Sequence, residues 1–386
     1  MPLRWIFHPT LLVLMGILLS QGLLAAGVET RIGWAELHAL AWYGLLPLIV
    51  YEMAFRLDAE GMFRSLGLIV WLSAPLLVLQ AALAGSLLYA GLGDALEFPA
   101  LAAFLTALML AANSPAAVIR VLEPLRLPVR LLAILKGESL FGSLLVLILV
   151  SLLLQLEGQT HQPGFLPGFI LFTQLFAGGV ITGLGLGLAG IAVLHFSRLP
   201  VLRGLLSLIG AYLTFVLAEK VLAVSGIVAV MVAGLILNAY RQRADTPSQR
   251  WLDRQWQGTA LVAAAFMFLL LGFSVYWPIL FDQWQAVLLG VLAVMLARGI
   301  TIALGLWLDG GASTTAQDAA TYRPALLWLG GFKGMISILL VFALPEQVAY
   351  SYTVQAVVFG VVLTSLLVQA PLLQLFLWVR RKPTPN

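Results

Sequence analysis

Four ionisable side chains fall inside long apolar runs of the chain: Lys136, Glu138, Arg298 and Lys333. A charge in the hydrocarbon core costs about 2.5–3.5 kcal/mol on insertion scales, and one that is retained faces a cavity or a partner. Glu52 is a weaker fifth candidate, one turn from Arg56 and near enough to the membrane edge to snorkel. At such depth a carboxylate or an amine holds either a proton or an ion, and that is the chemistry of a relay or a transporter. Two stretches also interrupt helical geometry. Asn113-Ser114-Pro115 does so because proline removes a backbone donor and disfavours helix just before it. Gly330-Gly331-Phe332-Lys333-Gly334 is the second. Irregular backbone within the membrane is tolerated only where protein buries it or where it lines a cavity. Lys333 lies ten residues past Arg323, which at 1.5 Å per residue is about 15 Å, the midplane. Two broken helices in corresponding halves point to a site between inverted repeats.

The elements that must position these residues follow from composition. Of 386 residues 61% are apolar and 10% charged, and there is no cysteine; soluble domains are about 45–50% apolar and about 25% charged. This excludes a water-soluble enzyme, a disordered chain and a disulfide-stapled module, and the basic residues are too scattered for a nucleic-acid surface. The fold class is therefore an all-α polytopic membrane protein. About 20 apolar residues cross the hydrocarbon, and charged or Pro/Gly-rich breaks mark about twelve spans. They lie near 9–26, 34–55, 65–91, 98–121, 130–156, 165–196, 204–219, 222–240, 258–277, 284–308, 323–345 and 351–379. Only Glu219 and Lys220 separate the seventh from the eighth. However, 37 residues lie between Arg203 and Arg241, about 56 Å of helix and enough for two crossings.

Charge distribution supports the partition. Sixteen of the 21 basic residues fall on one side and two, Arg31 and Lys220, on the other; the remaining three are Lys136, Arg298 and Lys333. By the positive-inside rule both termini are cytoplasmic, and the expected location is a bacterial cytoplasmic membrane. Residues 1–27 also carry signal-peptide features (Arg4, Leu11–Leu19, Ala25–Gly27) but are read as a retained first helix. No expected loop exceeds 17 residues, so residues 1–386 form one transmembrane domain.

Several patterns have plainer explanations. Gly185, Gly187 and Gly190 spell GxGxxG inside an apolar helix, where close packing through small residues is expected instead of dinucleotide binding. Gly91-Leu92-Gly93-Asp94 resembles an intramembrane aspartyl-protease motif, but no second aspartate lies in any span to share its proton. His8, His38, His161 and His195 never pair at ligand spacing, so neither a metal nor a cofactor is expected. Trp34, Trp42, Trp277, Trp284 and Trp378 cluster at span ends as an aromatic belt.

At the interrupted segments the chain resembles the cation:proton antiporter family of sodium/proton exchangers (NhaP/NHE-type). The stretch Asn113-Ser114-Pro115-Ala116-Ala117-Val118, then Leu127-Pro128 and Gly137-Glu138-Ser139-Leu140-Phe141, is similar to the family core. Leu46-Pro47-Leu48 through Glu52 to Leu57-Asp58 agrees, as do Ala218-Glu219, Val224-Ser225-Gly226 and Val232-Ala233-Gly234-Leu235. Gly330 to Gly334 with Ala343-Leu344-Pro345 resembles its Gly-Gly-Leu-Arg-Gly segment. The resemblance implies alternating access, with monovalent cation and proton as substrates and a homodimer as the assembly. It also implies a mobile core that includes 98–156 and 284–345, the remaining helices serving as scaffold.

The resemblance maps the ion site onto Asn113, Ser114, Glu138, Gly142, Ser143, Arg298 and Lys333, with Glu52 and Lys136 secondary. Asn113-Ser114 stand where the family has Thr-Asp, Gly142-Ser143 where it has Asn-Asp, and Lys333 where it has arginine. Serine does not titrate, so the usual carboxylate switch is missing and Glu138 or a lysine must carry any proton. Lys136, Arg298 and Lys333 against Glu138 give a positive core that repels a bare cation. Two readings stand: a modified cation/proton exchange, or a degenerate member that does not transport or carries another, even anionic, substrate.

Overall fold

The structure, a computed structural model, describes residues 9–27, 34–55, 73–114, 129–157, 165–197, 199–242, 247–275, 277–308, 323–344, 350–373 and 375. The described residues are helical, without strands. In chain order the helices are α1 (Pro9–Ala25), α2 (Trp34–Ala39, continuing through a π-helical stretch Leu40–Leu45 into Leu46–Phe55), α3 (Pro75–Leu96), α4 (Ala100–Ala111) and α5 (Val129–Glu157). Then come α6 (Phe165–Phe196), α7 (Pro200–Val216 with a π-helical end, Leu217–Val221), α8 (Gly226–Gln242), α9 (Pro247–Ser274), α10 (Trp277–Asp282) and α11 (Trp284–Leu308). The last are α12 (Arg323–Leu329), α13 (Met335–Phe342) and α14 (Ser351–Thr364 with a π-helical continuation, Ser365–Gln369).

A helix stands in each expected span, and seven of those described are long and apolar enough to cross a membrane. Two differences are informative. The seventh and eighth spans are separated by Ala223, held at φ +50°, where the Glu219 carboxylate accepts the Gly226 N–H at 3.1 Å. A carboxylate at an orphan amide and positive helix end caps the start of α8. Helix α9 begins eleven residues before the expected 258, because its Arg, Gln and Trp residues favour helix outside the lipid as well as within it. The first part of the third expected span and the fourth beyond Ser114 lie outside the described residues, as do His8, His161 and the side chain of Asp94.

The chain divides into two compact units. One comprises Met1–Ile32, Ala59–Val146 and Ala265–Asn386; the other comprises Gly33–Asp58 and Leu147–Ala264. In the first, α3 packs on α4 and α11, and α14 packs on α4, α11 and α13. Helix α1 crosses the end of α9 at Gly16 and Gly272, where an added Cβ would lie 2.2 Å from Leu269 O and 2.1 Å from Val13 O. Without a hydrophobic drive between helices in lipid, such small-residue contacts supply the packing. In the second unit the α6–α8 contact runs along Gly179, Gly183 and Gly187. Gly185 and Gly190 of the formal GxGxxG face open space, so only one of its glycines packs. Trp256 packs against Tyr51 with ring centroids 4.7 Å apart and tilted by 34°, and donates its indole N–H to Ser207 Oγ at 3.1 Å.

Candidate functional site

The site grows from two interruptions in the first unit. Helix α4 stops at Ala111, and Ala112 turns extended (φ −60°, ψ 131°) toward Pro115, which cannot continue a helix. Helix α12 stops at Leu329, and the chain runs non-helically through 330–334 before α13 resumes at Met335. The two segments meet: Ser114 N–H donates to Phe332 C=O at 2.7 Å.

Each break leaves carbonyls at a helix C-terminus without intrahelical partners, and these ends carry partial negative charge. Among the described residues, both buried cations sit there. Lys333 Nζ donates to Asn113 Oδ1 at 2.8 Å and to Ala111 C=O at 3.4 Å, at the end of α4. Ser337 Oγ donates to Met109 C=O at 2.9 Å beside it. Arg298 on α11 donates from Nε to Trp328 C=O at 3.0 Å and from Nη2 to Leu327 C=O at 2.8 Å, at the end of α12. Its Nη1 and Nη2 also grip Glu138 Oε1 and Oε2 at 2.9 and 3.3 Å. Asn113 joins the two halves, because its Nδ2 donates to Glu138 Oε1 at 2.9 Å while its Oδ1 receives Lys333. Ser143 Oγ donates to Asn113 C=O. The resulting chain, Lys333–Asn113–Glu138–Arg298, is buried throughout.

The structure thus brings together Asn113, Ser114, Glu138, Ser143, Arg298 and Lys333. Gly142 is buried one residue before Ser143, and a Cβ there would meet only the Leu77 Cδ1 end, at 3.0 Å. Lys136 is half-buried and outside the buried cluster. Two residues apart on one helix do not share a face, so Glu138 turns inward and Lys136 does not. Glu52 belongs to the second unit and is buried there, which does not fit a snorkelling carboxylate. The expected excess of positive charge is therefore smaller than a count of side chains gives. Arg298 is matched by Glu138, and both cations lie against helix-end carbonyls.

Sequence reasoning misses three supports. Gly331 is required by Arg298, whose Cζ and Nε would each lie 2.2 Å from an added Cβ. Ser365 Oγ accepts the Lys333 backbone N–H at 3.0 Å and donates to Gln369 Oε1 at 3.0 Å, and Gln369 Nε2 donates to Leu329 C=O at 2.7 Å. The only signal for this pair is two polar residues four apart in an apolar span.

The family model described as sodium/hydrogen exchanger, transmembrane, matches residues 2–379. The chain belongs to the sodium/hydrogen exchanger family. Among its relatives, the Na(+)/H(+) antiporter ApNhaP of Aphanothece halophytica is 30% identical over 336 residues, covering 85% of this chain and 62% of that protein. The low-affinity Na(+)/H(+) antiporter NhaS1 of Synechocystis sp. is 29% identical, covering 69% of this chain and 51% of its own. Na(+)/H(+) antiporter NhaH of Halobacillus dabanensis is 26% identical, with 84% and 79% covered. The chain thus matches only about half to three-fifths of the length of the first two. Its fold is that of the sodium proton antiporter MjNhaP1 from Methanocaldococcus jannaschii, with a TM-score of 0.77 at 20% identity over 96% of this chain and 91% of that one. The exchanger family is one of integral membrane proteins, and the apolar helices of this chain agree with that.

Proposed function

We propose that the chain exchanges a monovalent cation, Na+ first, for a proton by alternating access, and that Lys333 carries the proton. Family membership and the activities named for ApNhaP, NhaS1 and NhaH support the substrates. The observation that carries the mechanism is the pairing within the cluster. Glu138 is engaged by Arg298 and Asn113, whereas Lys333 Nζ rests on two neutral oxygens, Asn113 Oδ1 and Ala111 O.

As an ammonium, Lys333 fills an oxygen-lined place at the helix break. As an amine it gives those oxygens up, and Asn113 Oδ1, Ala111 O and the hydroxyls of Ser114 and Ser143 are donors a monovalent cation can take. Either occupant adds one positive charge, and both together repel at short range in a medium of low dielectric. Proton and cation are then mutually exclusive, the coupling an exchanger needs. Arg298 and Glu138 hold the site's shape, while Gly142 lets the Leu77 side chain pack closely on α5.

The ion-site core includes 98–156 and 284–345 and moves against the remaining helices, the chain works as a homodimer, and it lies in a bacterial cytoplasmic membrane with both termini cytoplasmic. The chain's chemistry is transport, with no enzymatic step. A second reading, a family member that no longer exchanges, is favoured by one observation: the cluster's carboxylate is already held by a bidentate arginine.

Proteoliposomes with an imposed pH gradient decide between them. Added Na+, Li+ or K+ should dissipate the gradient in the wild type, and Lys333→Met should abolish the effect. If none of the ions acts on the wild type, the exchange reading is lost. A gain of exchange in Ser114→Asp/Gly142→Asn/Ser143→Asp would then show a sound scaffold that lacks only its ligands.

A further inference from the structure

A cavity of about 460 Å³ opens between α11 and α14 in the first unit. Its wall is almost wholly apolar, with Val291 and Val294 on α11 and Val361 and Val368 on α14. The mouth continues an aliphatic surface. Along α11, Leu288, Leu292, Leu296 and Ile300 recur every four residues and are each about half exposed. Val368 and Leu372, which line the cavity, are exposed to the same degree. In a membrane span such a stripe faces acyl chains, so the cavity is entered from hydrocarbon and not from water.

The inner end is polar in composition but closed in hydrogen bonding. Arg298 is bound to Glu138, Trp328 C=O and Leu327 C=O, and Lys333 Nζ to Asn113 Oδ1 and Ala111 C=O. Ser365 Oγ accepts the Lys333 backbone N–H and donates to Gln369, whose Nε2 donates to Leu329 C=O. Thr364 Oγ1 donates to Gly360 C=O at 2.8 Å. These side chains leave a head group, charged or neutral, little to bind. Water is no better served, because a buried water needs two to four polar partners. An apolar cavity of about 150 Å³ already stays dry and takes benzene, so one about three times that size suits several methylenes of a hydrocarbon tail. Irregular backbone against hydrocarbon is ordinarily costly, but here Ser365 and Gln369 satisfy the Lys333 N–H and the Leu329 C=O.

We propose that this cavity seats one acyl tail of a surrounding bilayer phospholipid, whose head group stays outside the cavity at the membrane surface. The tail enters past Val368 and Leu372 and lies along Val291 and Val361. Its end rests beside Gly331 and closes the lipid side of the break without touching a charge. The assignment concerns binding alone and holds whether or not the chain exchanges ions.

The sequence holds no cysteine, so a single introduced thiol can serve as a trap. The full chain is placed in nanodiscs of phosphatidylcholine with a diazirine near the end of one acyl tail and illuminated, and the lipid adduct at the thiol is quantified by mass spectrometry. Val361→Cys samples the cavity wall, Leu292→Cys the exposed stripe and Ile338→Cys the buried core. Val361→Cys should be labelled within about threefold of Leu292→Cys and at least tenfold more than Ile338→Cys. Adding Val291→Trp, which narrows the cavity, should lower labelling of Val361→Cys at least fivefold and leave that of Leu292→Cys unchanged. Leu372→Trp at the exposed rim provides a second obstruction with little folding risk and the same expected result. Labelling of Val361→Cys no greater than that of Ile338→Cys would overturn the site. Labelling that neither tryptophan variant reduces would place the tail elsewhere and overturn it too.

Discussion

Replacing Glu138 isolates the buried ion pair. Its side chain is 6% exposed and that of Arg298 3%, with contacts at 2.9 and 3.3 Å. Breaking a buried pair by removing one partner costs about 3–5 kcal/mol, because the other charge stays buried without compensation. Arg298 would keep Trp328 C=O and Leu327 C=O, which places Glu138→Gln near the lower figure. Gln would retain one acceptor for Asn113 Nδ2 or Arg298 Nη1 but turn an N–H₂ toward Nη2. Glu138→Ala loses every contact and falls near the upper figure. At about 1.4 kcal/mol per tenfold, the folded-to-unfolded ratio drops by roughly two to three and a half decades. The assay is equilibrium unfolding in detergent micelles as a double-mutant cycle with Arg298→Met. Removing both partners of a buried pair is often near neutral, so the double variant should be more stable than Glu138→Ala by about 2 kcal/mol or more. A double variant whose loss equals the sum of the two single losses would refute the pairing.

Other outcomes follow from the same contacts. Gly331→Ala drives a methyl against the Arg298 guanidinium, and unfolding measurements should show a loss of about 1–3 kcal/mol, as overpacking does. Ser365→Ala strips the Lys333 backbone N–H of its acceptor, so hydrogen exchange at residues 330–334 should accelerate with a stability cost of about 1–3 kcal/mol. Ala223→Gly relieves a left-handed alanine between α7 and α8 and should raise stability by up to about 1 kcal/mol, read as a higher melting temperature in detergent.

Much of the helical frame was legible because lipid imposes a single rule: long apolar runs form helices, and breaks in them stand out. The spans 165–196 and 284–308 coincide with α6 and α11. The interruptions at Asn113-Ser114 and 330–334 follow from local chemistry, proline after one and clustered glycine in the other. Hydropathy cannot see helix that continues into water, so the polar start of α9 is missed. Lys136 was not separable from Glu138 in a count of charges, since spacing along the chain says nothing of burial until helix phase is applied. The carbonyl ends of α4 and α12 are backbone, invisible to any tally of side chains, yet they hold both cations. Ser365 and Gln369 act on a break 30 to 40 residues away in sequence, and no local pattern announces that.

The account rests on Lys333 surrendering a proton when a cation arrives. Proton release can be read with a pH dye as NaCl is added to the purified chain in lightly buffered detergent, against an impermeant organic chloride as control. The wild type should release up to one proton per chain, Glu138→Gln should retain the signal in whatever fraction folds, and Lys333→Met should show none. Full release from Lys333→Met, or a signal that vanishes only with Glu138→Gln, would contradict it.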